Sequence, residues 1–523
     1  MSHQTLSLSA EHREAAERRR RIIVEYDAFD PGEMLGGDFD QWLEFRFHLV
    51  DQPGSQIDSI MWELHPSSDR ASYPSDVLPY PHLTSLETWH QQGIDWLERV
   101  VAETHRRGLE AWWTHRISEV DADANCNLEM EELSPLKAAH PEWTLPSWWW
   151  QGMWNLAEPG LRAHKVAVLR ELAERYDLDG IQVNFARHLP VLPVGRQWEL
   201  RAAPTDLMRQ VRAALQEVAA KRGRPILLAA KVPETVAGCQ VDGLDVVTWA
   251  REGLVDLLSL GSRTLTMDVG DFRAALGETP VKLCPCFDDH HASDGYRHAP
   301  IEVLRGVFGN WLAQGADGVE TFNWSTALPE YYASRGIPDM NVSAAHAPAY
   351  LEVGQADTMA DKDLTCVVER RGVFPWSQGY FCRNAHFALP ATLANHGEPT
   401  TLSLRVDVPV GDARQAELAV VVYTLQPADL LGATLNAEEL PLAARDDSHR
   451  DPQLFSPAPQ PPAGTARSTE PDPAQRLTLL TYALRPGSLR RGENHVALWV
   501  ASRGSFPIGA DIQVEKVEAR MRF

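Results

Sequence analysis

The sequence predicts an α/β fold: a (β/α)8 TIM barrel followed by a C-terminal antiparallel β-sandwich of jelly-roll type. Three observations predict it. From Arg21 to about Trp324, short apolar runs alternate with longer amphipathic stretches. After about Gly354 the hydrophobic period changes to two. Of the 17 tryptophans, 15 fall at or before Trp324, so composition changes at the same place. We therefore expect a barrel over residues 1–355 and a sandwich over 356–523.

The strand-like runs of the first part are Ile22–Asp27, Ile57–Leu64, Leu109–Ile117, Gly180–Arg187, Ile226–Pro233, Val255–Gly261, Val281–Phe287 and Gly318–Trp324. Helical patterns at Gly93–Arg107, Leu161–Tyr176, Thr205–Lys221 and Ile301–Gln314 precede the third, fourth, fifth and last of them. Alternating strand and helix signals imply parallel β-α units, and about eight of them close a barrel. A doubly wound open sheet is the rival, but no Gly-rich phosphate loop follows the first strand. Two connections, Leu64 to Leu109 and Ser118 to Asp179, are long. The second carries Trp143, Trp148, Trp149, Trp150 and Trp154. In a barrel such loops rise from the C-terminal face, where active sites sit.

In the second part, His386–Leu393, Thr400–Val408, Ala416–Leu425, Arg476–Leu484, Asn494–Ala501 and Asp511–Met521 read as strands. Pro390 would hold the first of these at a sheet edge. Asp451–Ala474 is Pro-rich and reads as an exposed loop.

Charge narrows the function. Lys+Arg number 49 against Asp+Glu 72, a net charge of −23, and a nucleic-acid footprint needs clustered positive charge. No window approaches about 18 uninterrupted apolar residues, so no membrane span is expected. Met1-Ser2-His3-Gln4 lacks the layout of a secretory signal, and six cysteines in so long a chain make no disulfide framework. A cytoplasmic protein is the expectation.

Alternate residues of a barrel strand face the lumen, and those at its carboxyl end reach the site. On the fourth run, Gln182 and Asn184 then point inward, as an internal network or as substrate contacts. The first offers Glu25 and Asp27, the second Glu63. The third ends in Arg116 and leads to Glu119. The fifth carries Lys231, with Glu234 following. The seventh places Cys284, Cys286 and Asp288 on one parity, with Asp289, His290 and His291 beyond. The last carries Glu320, Asn323 and Trp324, whose register the sequence leaves open. A barrel directs all of these towards one place. Cys284-Pro285-Cys286 and Asp288-Asp289-His290-His291 lack the spacing of a recognised zinc site, and neither a metal nor a cofactor is expected.

Three stretches carry a family resemblance. One runs from Trp112-Trp113-Thr114-His115-Arg116-Ile117-Ser118-Glu119 to Ala139-His140-Pro141-Glu142-Trp143. A second is Tyr176-Asp177-Leu178-Asp179-Gly180-Ile181-Gln182-Val183-Asn184-Phe185-Ala186-Arg187. The third is Gln314-Gly315-Ala316-Asp317-Gly318-Val319-Glu320-Thr321-Phe322-Asn323-Trp324. Together they resemble the glycoside-hydrolase-family-10-like barrel proteins, over roughly residues 20–360. The resemblance implies action on a carbohydrate. One position departs: the group usually has Asp where this chain has Asn184, and an amide can be neither a carboxylate nucleophile nor a useful proton donor.

Splitting a glycosidic bond takes two carboxyl groups flanking it. The expected activity is an exo-acting glycoside hydrolase on a small oligosaccharide or glycoside. Its acid/base candidates are Glu119, Asp288 and Glu320, with Glu234 behind them. Arg116, Asn184, Arg187, Lys231 and His290 would position the sugar, with Asp27, Glu63, Gln182 and Asn323 as further contacts. Trp149, Trp150 and Trp324 would form an aromatic platform. Two alternatives stand beside it: a catalytically silent carbohydrate-binding barrel, which Asn184 favours, and a metal-dependent lyase or epimerase acting on a sugar. The sandwich is expected to cover one side of the barrel or to support a homo-oligomer.

Overall fold

The computed structural model describes residues 8–28, 37–64, 70–79, 84–118, 134–147, 152–261, 264–289, 296, 298–337, 342–370, 388–395, 397–411, 413–451, 454, 475–504 and 511–523. Eight parallel strands close a barrel. They are β1 (Ile22–Ala28), β2 (Ile57–Leu64), β3 (Glu110–Arg116), β4 (Gly180–Asn184), β5 (Leu227–Val232), β6 (Leu257–Leu260), β7 (Lys282–Asp288) and β8 (Val319–Phe322). Each pairs with its neighbours in chain order, and β8 returns to β1 through Ile22↔Val319 and Glu25↔Phe322. Every one of the eight expected runs supplies one strand.

The helices follow the expected stretches closely: Trp96–Arg106, Pro159–Arg175, Ala202–Arg222 and Ile301–Ala313. The first shows the local logic. Asp95 caps it, its carboxylate accepting from the Leu97 and Glu98 amides, which would otherwise lack partners at a helix start. Trp96, Leu97, Val100 and Val101 form its buried stripe.

Strand parity divides two cores. Ile181, Val183 and Phe185 join the large core between strands and helices. Ile23, Met61, Trp112, Leu227, Ala229, Leu257 and Cys284 fill the lumen. This lumen is packed, as a barrel of eight strands requires. Helix α1 (Ala10–Glu17) lies against its amino end through Ala15 and Ala16. There His12 Nε2 lies 3.0 Å from Asp256, whose other oxygen meets Arg212 at 2.9 Å. Arg20 grips Glu110 through Nε at 2.7 Å and Nη2 at 2.9 Å. These buried ions are paired and remote from the carboxyl end, so they serve the fold.

Beyond the barrel lie two antiparallel sheets. One joins β9 (Leu364–Val367), β16 (Gln513–Arg522), β11 (Gln415–Tyr423), β14 (Leu477–Leu484) and β13 (Leu442–Asp446). The other joins β10 (Thr400–Val406), β15 (Gly492–Ser502) and β12 (Leu430–Leu435). Inward residues of both, such as Leu404, Leu498, Val420 and Val517, share one apolar core. Three of these strands were not expected: β9 is only four residues long, and Leu430 and Leu442 at the starts of β12 and β13 are exposed, so neither alternates cleanly. Around Pro390, the described pairing is short: Ala391–Thr392 against β16 and an isolated parallel bridge between Leu389 and Arg370.

The sheets are seated on the barrel helix Ile301–Ala313. A Cβ on Gly306 would come within 2.0 Å of the Thr365 carbonyl oxygen, so only glycine permits this approach. One turn later Asn310 takes the place of a strand edge, accepting from the Asp407 amide at 2.7 Å and donating to the Arg405 carbonyl at 3.0 Å. No helix among the described residues is long and apolar enough to cross a membrane.

Candidate functional site

The carboxyl half of the lumen is polar. Gln182, on β4, is fully buried and fully engaged. Its Oε1 accepts from Thr114 at 2.7 Å, and its Nε2 donates to Ser259 Oγ at 2.8 Å and to Glu320 Oε2 at 3.3 Å. Ser259 Oγ also hydrogen-bonds Glu320 Oε2. Gln182 is thus part of an internal network, one of the two roles open to it from sequence.

Above this floor, Lys231 of β5 bridges two acids. Its Nζ contacts Glu25 Oε2 of β1 and lies 2.9 Å from Glu320 Oε1 of β8. Asn184 Nδ2 donates to the other oxygen of Glu25 at 3.3 Å, while its Oδ1 accepts from the Arg187 amide at 3.0 Å. Glu25, Lys231, Glu320 and Asn184 are each at most 2% exposed.

Low dielectric makes this cluster electrically tense. Burial pushes the Glu25 carboxyl up to about 7; Lys231 opposes the rise and Glu320 adds to it. Burial acts on Glu320 as well, but Lys231 and hydrogen bonds from Glu25 and Ser259 outweigh it and hold that carboxyl below its ordinary range. Burial also works against the Lys231 ammonium, whereas the facing Glu25 and Glu320, with Cys286 if it were ionised, favour it and prevail. The Cys286 thiol is itself pushed well up by burial and stays neutral, which leaves the glutamates as the standing counter-charges. Near neutral pH the cluster therefore holds one ionised carboxylate, one ammonium and one carboxyl close to its midpoint.

Donor atoms of Glu25, Cys286 and Glu320 lie within 4.8 Å of one another. The cation that meets the two glutamates is the Lys231 ammonium, and a metal ion would have to displace it. These two carboxyls are also too close for inverting hydrolysis, where about 6.5–9.5 Å leaves room for a water.

Nearer the mouth, Arg116 Nε lies 2.6 Å from Glu63 Oε1, both side chains buried. Asn323, at φ 57°, turns its amide onto Asp288, Nδ2 to Oδ1 at 3.0 Å. Glu234 is buried just beyond β5, and Arg187 and His188 just beyond β4. These strand ends bring Glu63, Arg116, Asn184, Lys231, Asp288 and Glu320 to the carboxyl end of one lumen.

Trp324 does not join them. Its indole is 4% exposed and lies in the core on the helix side, stacked on His346 at 4.2 Å with Nε1 donating to the Phe287 carbonyl at 3.1 Å. The reason is register: inward parity on β8 belongs to Glu320 and Phe322, and the turn at Asn323 sends the next residue outward. An indole sealed on that side cannot serve as the sugar platform expected of it. Glu119, Trp149, Trp150 and His290, and the side chain of Asp27, lie outside the described residues.

Sequence reading missed Ser259 and His188. Ser259 carried a signal, as the one polar residue in Leu257-Leu258-Ser259-Leu260 and on the inward parity. His188, beyond the end of β4, carried none.

No curated protein matches the chain. Solved structures similar to it include α-L-fucosidase isoenzyme 2 from Paenibacillus thiaminolyticus, at 16% identity over 67% of this chain and 51% of that one, with a TM-score of 0.41. This chain thus spans about half the length of that protein. A maltogenic α-amylase, AmyB, from Thermotoga neapolitana matches at 10% identity over 92% and 99% of the two chains, TM-score 0.36. A family GH18 chitinase from Chromobacterium violaceum matches at 11% identity over 97% and 92%, TM-score 0.36. Sequence speaks more directly: residues 48–190 match the family described as Glycosyl hydrolase-like 10, which contains the first two of the three resembling stretches and bears out the resemblance across that part of the barrel.

Proposed function

We propose that the chain is an exo-acting glycoside hydrolase for a small oligosaccharide or glycoside, with residues 1–355 as its catalytic unit and 356–523 as an accessory unit. The observation that supports it best is the convergence of acids, amides and cations from β1, β2, β3, β4, β5, β7 and β8 on the carboxyl end of the lumen, in a chain that matches a glycosyl-hydrolase-like family over 48–190. Hydrolysis needs one carboxyl able to give a proton and another that stays ionised. Glu25 has the first property near neutral pH. Asp288, which accepts from the Asn323 amide, is our candidate for the second, with Glu119 and Glu234 as the remaining ones. Glu320 then acts from beneath, through Glu25 and Lys231. Arg116, Asn184, Arg187 and His290 orient sugar hydroxyls. Conversion of Asp288→Asn and of Glu119→Gln, assayed on a panel of aryl glycosides and oligosaccharides, is expected to lower kcat about 10²–10⁴-fold in at least one of them. Wild-type turnover in both would remove this assignment.

The silent-barrel alternative turns on Asn184, and its hydrogen bonds argue for a native amide. Nδ2 donates to Glu25, a bond a carboxylate could not make. In Asn184→Asp a second carboxyl would face Glu25, so one of the two must take up a proton. We expect the variant to lose activity and to lose about 1–3 kcal/mol of stability at pH 8, read by urea denaturation. Activity gained only in Asn184→Asp would identify the present chain as a silent binder.

A further inference from the structure

Among the described residues, Trp198 alone of the tryptophans is exposed, at 41%. It lies in the loop after β4, the strand that ends in Asn184. Of the six large hydrophobic residues exposed among the described ones, three are Val194, Trp198 and Val241. They come from two loops in contact. A Cβ on Gly243, at φ +74°, would meet the Gln197 carbonyl oxygen at 2.4 Å and Leu192 Cδ1 at 2.7 Å. The short helix Val236–Val241 and its turn are thus pressed onto the segment that carries Trp198. Helix and loop follow β5 and β4, so both belong to the rim of the face where the candidate site opens.

The ring is held in place. Arg201 Cζ lies 4.7 Å from its centroid, and Arg201 Nη1 donates to the Trp198 carbonyl at 2.7 Å. Asp245 stands 3.8 Å from Arg201 Nε. One face of the indole is therefore backed by a guanidinium, and the exposed part of the ring can meet a partner at little conformational cost. Beside it in the same loop stands an exposed pair able to bond hydroxyls, Arg196 and Glu199 at 2.6 Å.

We infer that Trp198, with Val194 and Val241, forms a remote saccharide subsite, which stacks the apolar face of a pyranose several units from the bond that is cleaved. This deepens the glycoside-hydrolase reading and rests on it, for it assigns a substrate with a chain long enough to reach from the lumen to the rim. A scattered exposed apolar residue needs no such role, but an aromatic ring backed by a guanidinium, on the rim where the candidate site opens, has the form of a carbohydrate platform.

The test is calorimetric titration of the full chain with malto-, chito- and xylo-oligosaccharides of one to six units. Affinity in the recognised series should rise with length. Trp198→Ala should lower the affinity for its longest members about three- to tenfold and flatten the length dependence. Trp198→Phe should recover part of it, and Leu328→Ala, at another exposed apolar position, should not change it. Equal affinities for wild type and Trp198→Ala, beside normal hydrolysis, would overturn the subsite and leave the glycosidase reading standing. If no saccharide binds or is cleaved by the wild type, both readings fall. Dimerisation in sedimentation that Trp198→Ala abolishes would assign the patch to a second copy of the chain and overturn the proposal.

Discussion

Lys231→Met is expected to be among the most destabilising single substitutions in the barrel, at about 3–5 kcal/mol near pH 8. The ammonium is the cation between Glu25 and Glu320, and all three are at most 2% exposed. Methionine keeps most of the volume and the packing against Phe322, whose ring centroid lies 4.7 Å from Nζ. The substitution therefore tests charge more than shape. Without the cation two carboxyls face each other in low dielectric, and at least one must bind a proton. Its loss of stability should shrink as the pH falls towards 5, because protonation then does the work of the ammonium. Combining Lys231→Met with Glu320→Gln should restore part of the stability, since one buried acid is then removed. Urea denaturation of the wild type and the three variants at pH 5 and pH 8 measures this. A pH-independent loss, or no recovery in the double variant, would mean that Lys231 acts by packing alone.

This cluster also marks where sequence stops being legible. Barrel strands announce themselves because their apolar runs are too short for helices and alternate with longer amphipathic stretches. Gln182 and Asn184 could be set inward because Ile181, Val183 and Phe185 fix the parity of β4. Individual acids could be named for the same reason. What could not be read is which of them meet. Glu25 and Lys231 are 206 positions apart and touch because β1 and β5 stand across one lumen. Without the ring's closure, neither the shared cation nor the raised carboxyl of Glu25 can be inferred. Trp324 failed for a smaller reason. Only a left-handed residue, Asn323, separates it from the inward Phe322, and sequence does not reveal that turn. The period-two strands beyond Gly354 were readable where buried and exposed residues alternate, as on β10 and β15, and unreadable at β12 and β13, whose leading leucines are exposed and whose burial does not alternate.

Glu25→Gln is expected to stabilise the protein at alkaline pH while it removes activity. In the folded chain the Glu25 carboxyl sits at about 7, above its ordinary value of 4.5. The native state thus holds this proton more tightly than the unfolded chain does. Its contribution to stability is complete below about pH 4.5 and is lost as the pH rises through about 7. Over that window the loss amounts to roughly 3 kcal/mol for a group so deeply buried. Glu320 is held below its ordinary range, so its own contribution falls away at lower pH and does not confound the upper window. Glutamine keeps the shape and can still accept from Lys231, but it has no proton to lose. The melting temperature of the wild type should therefore decline by several degrees between pH 5 and pH 8, while that of Glu25→Gln stays nearly level and exceeds it at pH 8. On aryl glycosides the variant should turn over about 10²–10⁴-fold more slowly if Glu25 gives the proton, and the alkaline limb of kcat/KM near pH 7 should vanish with it. A wild-type melting temperature that is flat between pH 5 and pH 8 would refute the raised carboxyl. Full activity in a Glu25→Gln variant that is nonetheless stabilised would keep the buried proton and take away its catalytic use.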